Sequence, residues 1–227
     1  MIPIDQKKLY GYKDLFSLFV KLLNEKRFPN KIILTGPKGI GKSTFAYHFV
    51  NYLLSKNEEN SYNINQFEIQ NKNRSFNLVK NLSHPNFHLI DLIDNKKIIE
   101  INQIRKAINY SQKTSFNNSY KIILIDNIEF LNINSINALL KIIEEPNEKL
   151  YFILIHDNKK KILDTLKSRC IIFKKQFTFK ENITIFEKLT NVKKDTFFNE
   201  EIINNYVTIG QLIFLYNFSI LHKLNLN

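Results

Sequence analysis

The sequence predicts a three-layer α/β fold with a largely parallel β-sheet, followed by a smaller helical part. Short apolar runs typical of buried strands, such as KIILT at 31–35 and KIILID at 121–126, alternate with segments of helical periodicity. From about residue 178 the strand-like runs stop and only helical patterns remain. A chain of 227 residues is long enough for one large domain and one small one.

The predicted strands are short runs rich in Ile, Leu and Phe. Continuous apolar runs of this kind indicate strands that are buried on both faces, as in a parallel sheet. Two of them flank the residues DNKK and are expected to lie on either side of a turn. The predicted strands are 31–35, 87–93, 98–101, 121–126, 150–155 and 171–173.

The predicted helices have apolar residues on one face. Pro146 is expected to end the helix before it, and the Asn-rich residues 56–75 are expected to form a loop. The predicted helices are 11–27, 45–55, 102–115 and 135–145, with short ones in FTFKENITIFEKLTN, FFNEEIINNYV and GQLIFLYNFSILHKL.

Composition and charge narrow the class of protein. A hydrophobic content of 44% is that of a globular chain, and the single cysteine, Cys170, excludes an internal disulfide and a cysteine-rich zinc module. The formal net charge of +12 favours contact with polyanions such as nucleic acid, although the general abundance of Lys, Asn and Ile leaves a purely compositional origin open. The sequence contains neither a membrane-spanning run nor the apolar core of a signal peptide, so no membrane contact and a cytoplasmic location are expected.

A glycine-rich loop follows the first predicted strand. GPKGIGKS matches the phosphate-binding pattern G-x-x-x-x-G-K-[ST] in the strand–loop–helix setting that the pattern requires. Lys42 would reach the β- and γ-phosphates of a nucleotide, and the Ser43 hydroxyl would bind Mg²⁺; a loop that has lost nucleotide binding is the alternative. The predicted nucleotide-binding residues here are Gly36, Pro37, Lys38, Gly39, Ile40, Gly41, Lys42, Ser43 and Thr44.

A carboxylate, Asp126, ends the predicted strand 121–126. It is expected to lie near the glycine-rich loop and to hold Mg²⁺ together with Ser43, or alternatively to cap the next helix. Asn127 follows at the position where many related ATPases have the glutamate that activates water, and an amide cannot accept that proton. Glu129 lies two residues further on and is a poor substitute. The pattern therefore predicts binding of ATP or ADP with Mg²⁺ and slow hydrolysis.

The segment Ser168-Arg169-Cys170 lies just before the last predicted strand. A guanidinium there could project from the surface and stabilise phosphoryl-transfer charge in another subunit's site. The residue type alone leaves an ordinary surface or ion-paired arginine as the alternative.

Several segments resemble, in order and spacing, the clamp-loader subunits of the AAA+ family, and among them the delta-prime family of bacterial DNA polymerase III. The resemblance covers about residues 9–175. It implies an AAA+ domain over 1–176, a helical lid domain over 177–227, and an arginine finger at Arg169 that acts in trans. The segments are LTGPKGIGKSTFAYHFVNYLL, SHPNFHLI, IEINQIRKA, NALLKIIEEPNEKLYFILI and LKSRC.

The same resemblance implies a function and partners. A delta-prime-like subunit helps the ATP-dependent loading of the sliding clamp onto primed DNA during replication, together with the gamma/tau and delta subunits. A gamma/tau-type motor subunit is the alternative within this family, and a stand-alone P-loop nucleotide kinase is a more distant one. A kinase would need an arginine-rich lid, whereas this chain has only four arginines.

The chain departs from the family pattern at several points. The Asn-rich stretch stands where many members have a four-cysteine zinc module, so no zinc is expected. Asn127 replaces the water-activating glutamate, and GQLIFLYN lacks the arginine of the sensor 2 region. The family's C-terminal collar domain is expected to be absent, either because the sequence is a fragment or because the collar is missing.

Overall fold

The computed structural model describes residues 2–93, 96–144, 149–193 and 208–222. Within them, five strands form one sheet in which every neighbouring pair is parallel, in the spatial order β2-β3-β4-β1-β5. The largely parallel sheet predicted from the sequence is confirmed. The strands are β1 (Lys31–Gly36), β2 (Phe87–Ile90), β3 (Lys121–Ile125), β4 (Leu150–Asp157) and β5 (Ile171–Lys174).

Helices connect the strands and continue after the last one. The first is amphipathic and turns Phe16, Phe19 and Val20, spaced three and four apart, to the interior. The helices are α1 (Lys13–Asn24), α2 (Lys42–Leu54), α3 (Arg74–Lys80), α4 (Ile101–Gln112), α5 (Ile133–Glu144), α6 (Asp164–Lys167), α7 (Phe179–Thr190) and α8 (Ile209–His222).

Two hydrophobic clusters, one on each face of the sheet, make the fold three-layered. Successive residues of β3 point to opposite faces, so that Ile122 and Leu124 join one cluster while Ile123 and Ile125 join the other. The first cluster contains residues of α1, α2 and α3 and is rich in Phe and Tyr. The second contains residues of α4, α5 and α6 and is almost entirely aliphatic. The predicted α/β/α arrangement is confirmed.

One predicted strand is wrong, and two of the described helices, α3 and the short α6, were not predicted. Residues 98–101 contribute only an isolated bridge from Ile99 to Leu131, and α4 starts at Ile101 because the side chains of Glu100 and Gln103 form a capping box. Helix α3 begins within the stretch predicted as a loop, where the Asn73 side chain accepts a hydrogen bond from the backbone N–H of Phe76.

Helices α7 and α8 form the smaller helical part. They pack together through Ile183, Phe186 and Leu212, while Ile185 of α7 and Ile209 of α8 belong to the first hydrophobic cluster of the sheet. The division into domains 1–176 and 177–227 stays a prediction. The proposed helix end at Pro146 and the short helix in FFNEEIINNYV lie outside the described residues.

Across the described parts of the chain, the helices are too short or too polar to cross a membrane.

Candidate functional site

The glycine-rich loop connects the end of β1 to the start of α2. Gly39 and Gly41 both adopt positive φ, +86° and +87°, a region that side-chain-bearing residues rarely occupy. Gly41 is the residue before α2, whose first turn presents free backbone N–H groups to the loop. The N-terminus of a 13-residue helix that follows a curled glycine loop is suited to bind phosphate.

The side chain of Lys42 is folded into the loop. Its Nζ donates hydrogen bonds to the carbonyl oxygens of Gly36 at 2.8 Å and Pro37 at 2.7 Å, and the residue is buried. Burial lowers the pKa of the ammonium, while the nearby carboxylates of Asp157 and Asp126 oppose that shift. A cation is therefore held at the loop where phosphate charge would lie.

Asp126 and Ser43 are brought together from different elements. The Ser43 hydroxyl donates to Oδ2 of Asp126 at 2.5 Å, and the backbone N–H of Asn127 donates to Oδ1 at 2.8 Å. Burial raises the pKa of Asp126 to about 6, with a further contribution from Asp91. Asp126 therefore lies beside the glycine-rich loop, and its role at a nucleotide site stays a prediction.

The donor set at this point fits Mg²⁺. The ion prefers oxygen ligands and usually takes one or two from the protein, with water and phosphate oxygens supplying the rest. The adjacent hydroxyl and carboxylate of Ser43 and Asp126 offer such a pair. Among the described residues, no group of three or more His, Cys, Asp or Glu side chains could hold a metal by itself.

The side chain of Asn127 is held by the carboxylate of Asp91, a residue that no sequence pattern indicated. Its Nδ2 donates to Oδ1 of Asp91 at 2.7 Å, and Asp91 follows β2, the neighbour of β3 in the sheet. The amide therefore lies next to a carboxylate at the same edge of the sheet. Glu129 lies close by, and its Oε2 accepts a hydrogen bond from the backbone N–H of Asp157 at 3.2 Å.

These groups line a cavity of about 750 Å³. Its walls come from the glycine-rich loop, the carboxyl ends of β2, β3 and β4, and the start of α8. A second, mainly apolar cavity of about 370 Å³ lies on the other side of Gly39 and Gly41, between the N-terminal segment and α7 and α8; Thr44 and Tyr12 line it. Both volumes are of the size that small-molecule ligands occupy.

The helical part reaches the loop through two glycines. The backbone N–H of Gly210 donates to the carbonyl oxygen of Gly39 at 2.8 Å. A Cβ atom on Gly210 would lie only 2.8 Å from the Cα of Gly39, so the backbones meet without side chains between them. The start of α8 is thereby fixed against the glycine-rich loop.

Arg169 lies apart from both cavities, in the turn between α6 and β5. Its guanidinium forms an ion pair with Glu144 at the end of α5, with Nη2 2.8 Å from Oε1. Arg169 is thus ion-paired within this chain, and its role in another subunit's site stays a prediction.

The fold, a five-stranded parallel sheet between helical layers with a glycine-rich loop after β1, is the AAA+ P-loop fold. The RuvB Holliday junction branch migration motor of Thermotoga maritima superposes with a TM-score of 0.57 at 18% identity, over 100% of this chain and 70% of that one. The family described as DNA polymerase III, delta subunit matches residues 11–178. The chain belongs to this family.

Curated relatives agree with this assignment. DNA polymerase III subunit delta' of Buchnera aphidicola subsp. Baizongia pistaciae is 33% identical over 72% of this chain and 48% of its own length. Subunit delta' of Pseudomonas aeruginosa is 27% identical over 68% and 45%. Subunit gamma of Buchnera aphidicola subsp. Schizaphis graminum is 30% identical over 90% and 54%. The predicted delta-prime resemblance is confirmed, and the chain spans about half the length of these relatives.

Proposed function

We propose that the chain is a delta-prime-type subunit of the DNA polymerase III clamp loader, which helps to load the sliding clamp onto primed DNA in an ATP-dependent reaction. The observation that carries this proposal is the family match over residues 11–178. The partners would be the gamma/tau and delta subunits, the clamp and primed DNA, all in the cytoplasm. Residues 1–176 would be the AAA+ domain and 177–227 the lid.

The proposed ligand of the chain is ATP or ADP with Mg²⁺. The phosphates would lie in the larger cavity against the loop 36–44, where Lys42 supplies positive charge and α2 its N-terminus. Ser43 and Asp126 would hold the metal. The second, mainly apolar cavity would hold the adenine ring of the nucleotide.

Hydrolysis by this chain should be slow. The amide of Asn127 occupies the position after Asp126 and donates to Asp91, so it cannot take the proton of an attacking water. A positioned general base contributes about 10²- to 10⁴-fold. Turnover of the isolated chain well below about 1 s⁻¹ is expected, and a rate at or above that ordinary enzymatic value would contradict this part of the proposal.

Arg169 would complete the ATP site of a neighbouring subunit. A guanidinium keeps its charge and presents a planar fork of donors, which suits a γ-phosphate at an interface. The test uses loader complexes whose composition is verified by gel filtration, assayed for ATPase activity stimulated by DNA and clamp. Arg169→Ala should lower the rate without changing assembly or nucleotide binding by the isolated chain, and Arg169→Lys should rescue little. An unchanged rate would refute the role in trans.

Contact with DNA should be electrostatic and independent of sequence. The net charge of +12 supports this proposal, and no base-reading motif was found in the sequence. Binding to primed duplexes of two unrelated sequences should fall steeply and equally with salt. A strong preference for one sequence would contradict it.

The second candidate function is that of a gamma/tau-type motor subunit. The gamma relative that covers 90% of this chain favours it. Asn127 argues against it, because a motor needs rapid turnover of its own nucleotide. The same ATPase measurement on the isolated chain separates the two candidates.

A further inference from the structure

The ion pair between Arg169 and Glu144 involves the whole guanidinium group. Nε donates to Oε1 of Glu144 at 2.9 Å, and Nη2 lies 2.8 Å from the same oxygen. On the other side, Nη1 donates to the carbonyl oxygen of Thr165 at 3.1 Å and to Oγ of Ser168 at 3.2 Å. All three nitrogens of the side chain therefore have acceptors, and the guanidinium has one defined orientation.

Such an arrangement contributes little to stability. The side chains of Arg169 and Glu144 are 37% and 50% exposed, and solvent screens most of the attraction between the charges of such a pair. Holding a long arginine side chain in one geometry also costs conformational entropy. The main effect of the pair is therefore to fix the orientation of the guanidinium, and its contribution to the stability of the fold is small.

A phosphate would compete with Glu144 for the same atoms. Two-pronged recognition of an oxyanion by arginine uses two neighbouring N–H groups, and here Glu144 occupies the edge formed by Nε and Nη2. Because α5 and α6 belong to the same packed layer, this acceptor stays next to Arg169 in the isolated chain. To bind the guanidinium by this edge, a γ-phosphate in another subunit's site must displace the carboxylate of Glu144.

We propose that Glu144 is a positioning residue that holds Arg169 in a retracted orientation until a neighbouring subunit's nucleotide displaces it. This inference rests on the proposed role of Arg169 in trans. The carboxylate keeps the guanidinium in one orientation, and a phosphate must displace it before the guanidinium can be used. The pair therefore lowers unstimulated ATP hydrolysis by the complex.

The test compares loader complexes that carry Glu144→Gln, Asp164→Asn or no change. Glu144→Gln keeps the shape but removes the charge, and it should raise the ATPase rate without DNA and clamp by about three- to fivefold, the factor equivalent to an exposed pair of up to about 1 kcal/mol. The stimulated maximal rate should change less than about twofold, so that the ratio of stimulated to unstimulated rates falls. Asp164→Asn is the matched control, because it removes the exposed pair with Lys167 on the same short helix and should change neither rate.

A second measurement examines the pair without using activity. The chain has four arginines, Arg27, Arg74, Arg105 and Arg169, so their Nε–Hε signals can be assigned in an NMR spectrum of the isolated chain with the help of Arg169→Ala. Glu144→Gln should shift the Arg169 signal and leave the other three in place. An unshifted signal would overturn the proposal.

The outcomes separate this inference from the function on which it rests. If Arg169→Ala lowers the stimulated rate while Glu144→Gln lowers the unstimulated rate or leaves it unchanged, retention by Glu144 is refuted and the role in trans stands. If Arg169→Ala changes nothing, the role in trans fails and the inference fails with it.

Discussion

The two sides of the nucleotide cavity are built differently. On the β1–α2 side, the glycine-rich loop has each of the groups that phosphate binding requires, and Lys42 is already in the loop. On the β2–β3 side, Asp126 accepts a hydrogen bond from Ser43 of α2, but the residue after it is the amide Asn127, which donates to Asp91 and cannot act as a general base. The groups suited to bind phosphate and those that would activate water thus follow different strands at the same edge of the sheet, so one set can be lost while the other is kept.

The largest expected effect is a loss of affinity for nucleotide on the β1–α2 side of the cavity. Lys42→Ala removes the cation from the loop and should weaken the affinity of the chain for ADP by about three orders of magnitude, since hydrogen bonds to charged groups contribute about 1.5–3 kcal/mol each and the lysine can make more than one. Lys38→Ala, which removes an exposed lysine from the same loop, is the control and should have a much smaller effect. Calorimetric titration with ADP measures both, and equal losses would contradict the assignment.

The next prediction concerns the stability of the fold around α2, the helix that follows the glycine-rich loop. His48 of α2 is fully buried, its Nδ1 is 2.9 Å from the Tyr62 hydroxyl, and burial lowers its pKa to about 4. Between about pH 6.5 and 4 the unfolded chain binds the additional proton, so the folded state loses stability as the pH falls. This histidine alone should reduce the free energy of unfolding by about 3 kcal/mol over that range.

His48→Gln supplies the comparison for that prediction, because glutamine can still bond to Tyr62 but does not titrate. His84, His88 and His156 also have lowered pKa values because of burial, and they act in the same direction in both proteins. Urea unfolding at several pH values should show a shallower acid dependence in the variant. Parallel curves would exclude His48 as a source.

The third prediction sharpens the comparison on the hydrolysis side. Asn127→Glu alone would place a second carboxylate against Asp91, and like charges at that distance disfavour ionisation of both. Adding Asp91→Asn restores the hydrogen bond with donor and acceptor exchanged. The double variant should hydrolyse ATP about 100-fold faster than the unchanged chain, the lower range of a general base, while Asn127→Glu alone should gain less than about tenfold. Phosphate release under saturating ATP measures this, and equal gains would show that Asp91 is irrelevant.

The smallest effect tests the contact that joins the helical part to the binding side. In Gly210→Ala the new methyl group would meet the backbone of Gly39 at 2.8 Å, so α8 must move. Overpacking of this kind costs about 1–3 kcal/mol, and we expect about tenfold weaker binding of ADP. Ile220→Ala, at an exposed position further along α8, should leave the affinity unchanged. An unaffected Gly210→Ala chain would show that the contact is dispensable for binding.

Much of the fold could be predicted because its signals are local. The strand runs before Gly36 and Asp126 are continuous and apolar, and the loop pattern has a fixed spacing. Helix α3 was missed because Asn73 lies in a polar stretch where its capping role has no strong context. The false strand at 98–101 arose from three isoleucines, whereas the capping box of Glu100 and Gln103 was the better signal.

The site residues that were missed are those whose role depends on spatial neighbours. Asp91 meets Asn127 only because β2 and β3 are adjacent in the sheet, an order that the sequence does not state. Glu144 meets Arg169 because α5 and α6 pack together on one face. Gly210 touches Gly39 across most of the chain length. Residue patterns predict groups that act alone, while pairs require the tertiary arrangement.

The junction of Gly39 and Gly210 has a mechanical consequence. The two glycines are joined by a backbone hydrogen bond and by direct contact of their backbones. Because no side chain lies between them, a shift of the glycine-rich loop would move the start of α8 directly. Helix α8 has 14 residues and so is about 21 Å long. A tilt of about 10° at its base would carry its far end by about 4 Å, given a rise of about 1.5 Å per residue. A small shift of the glycine-rich loop would therefore be enlarged at the outer end of α8.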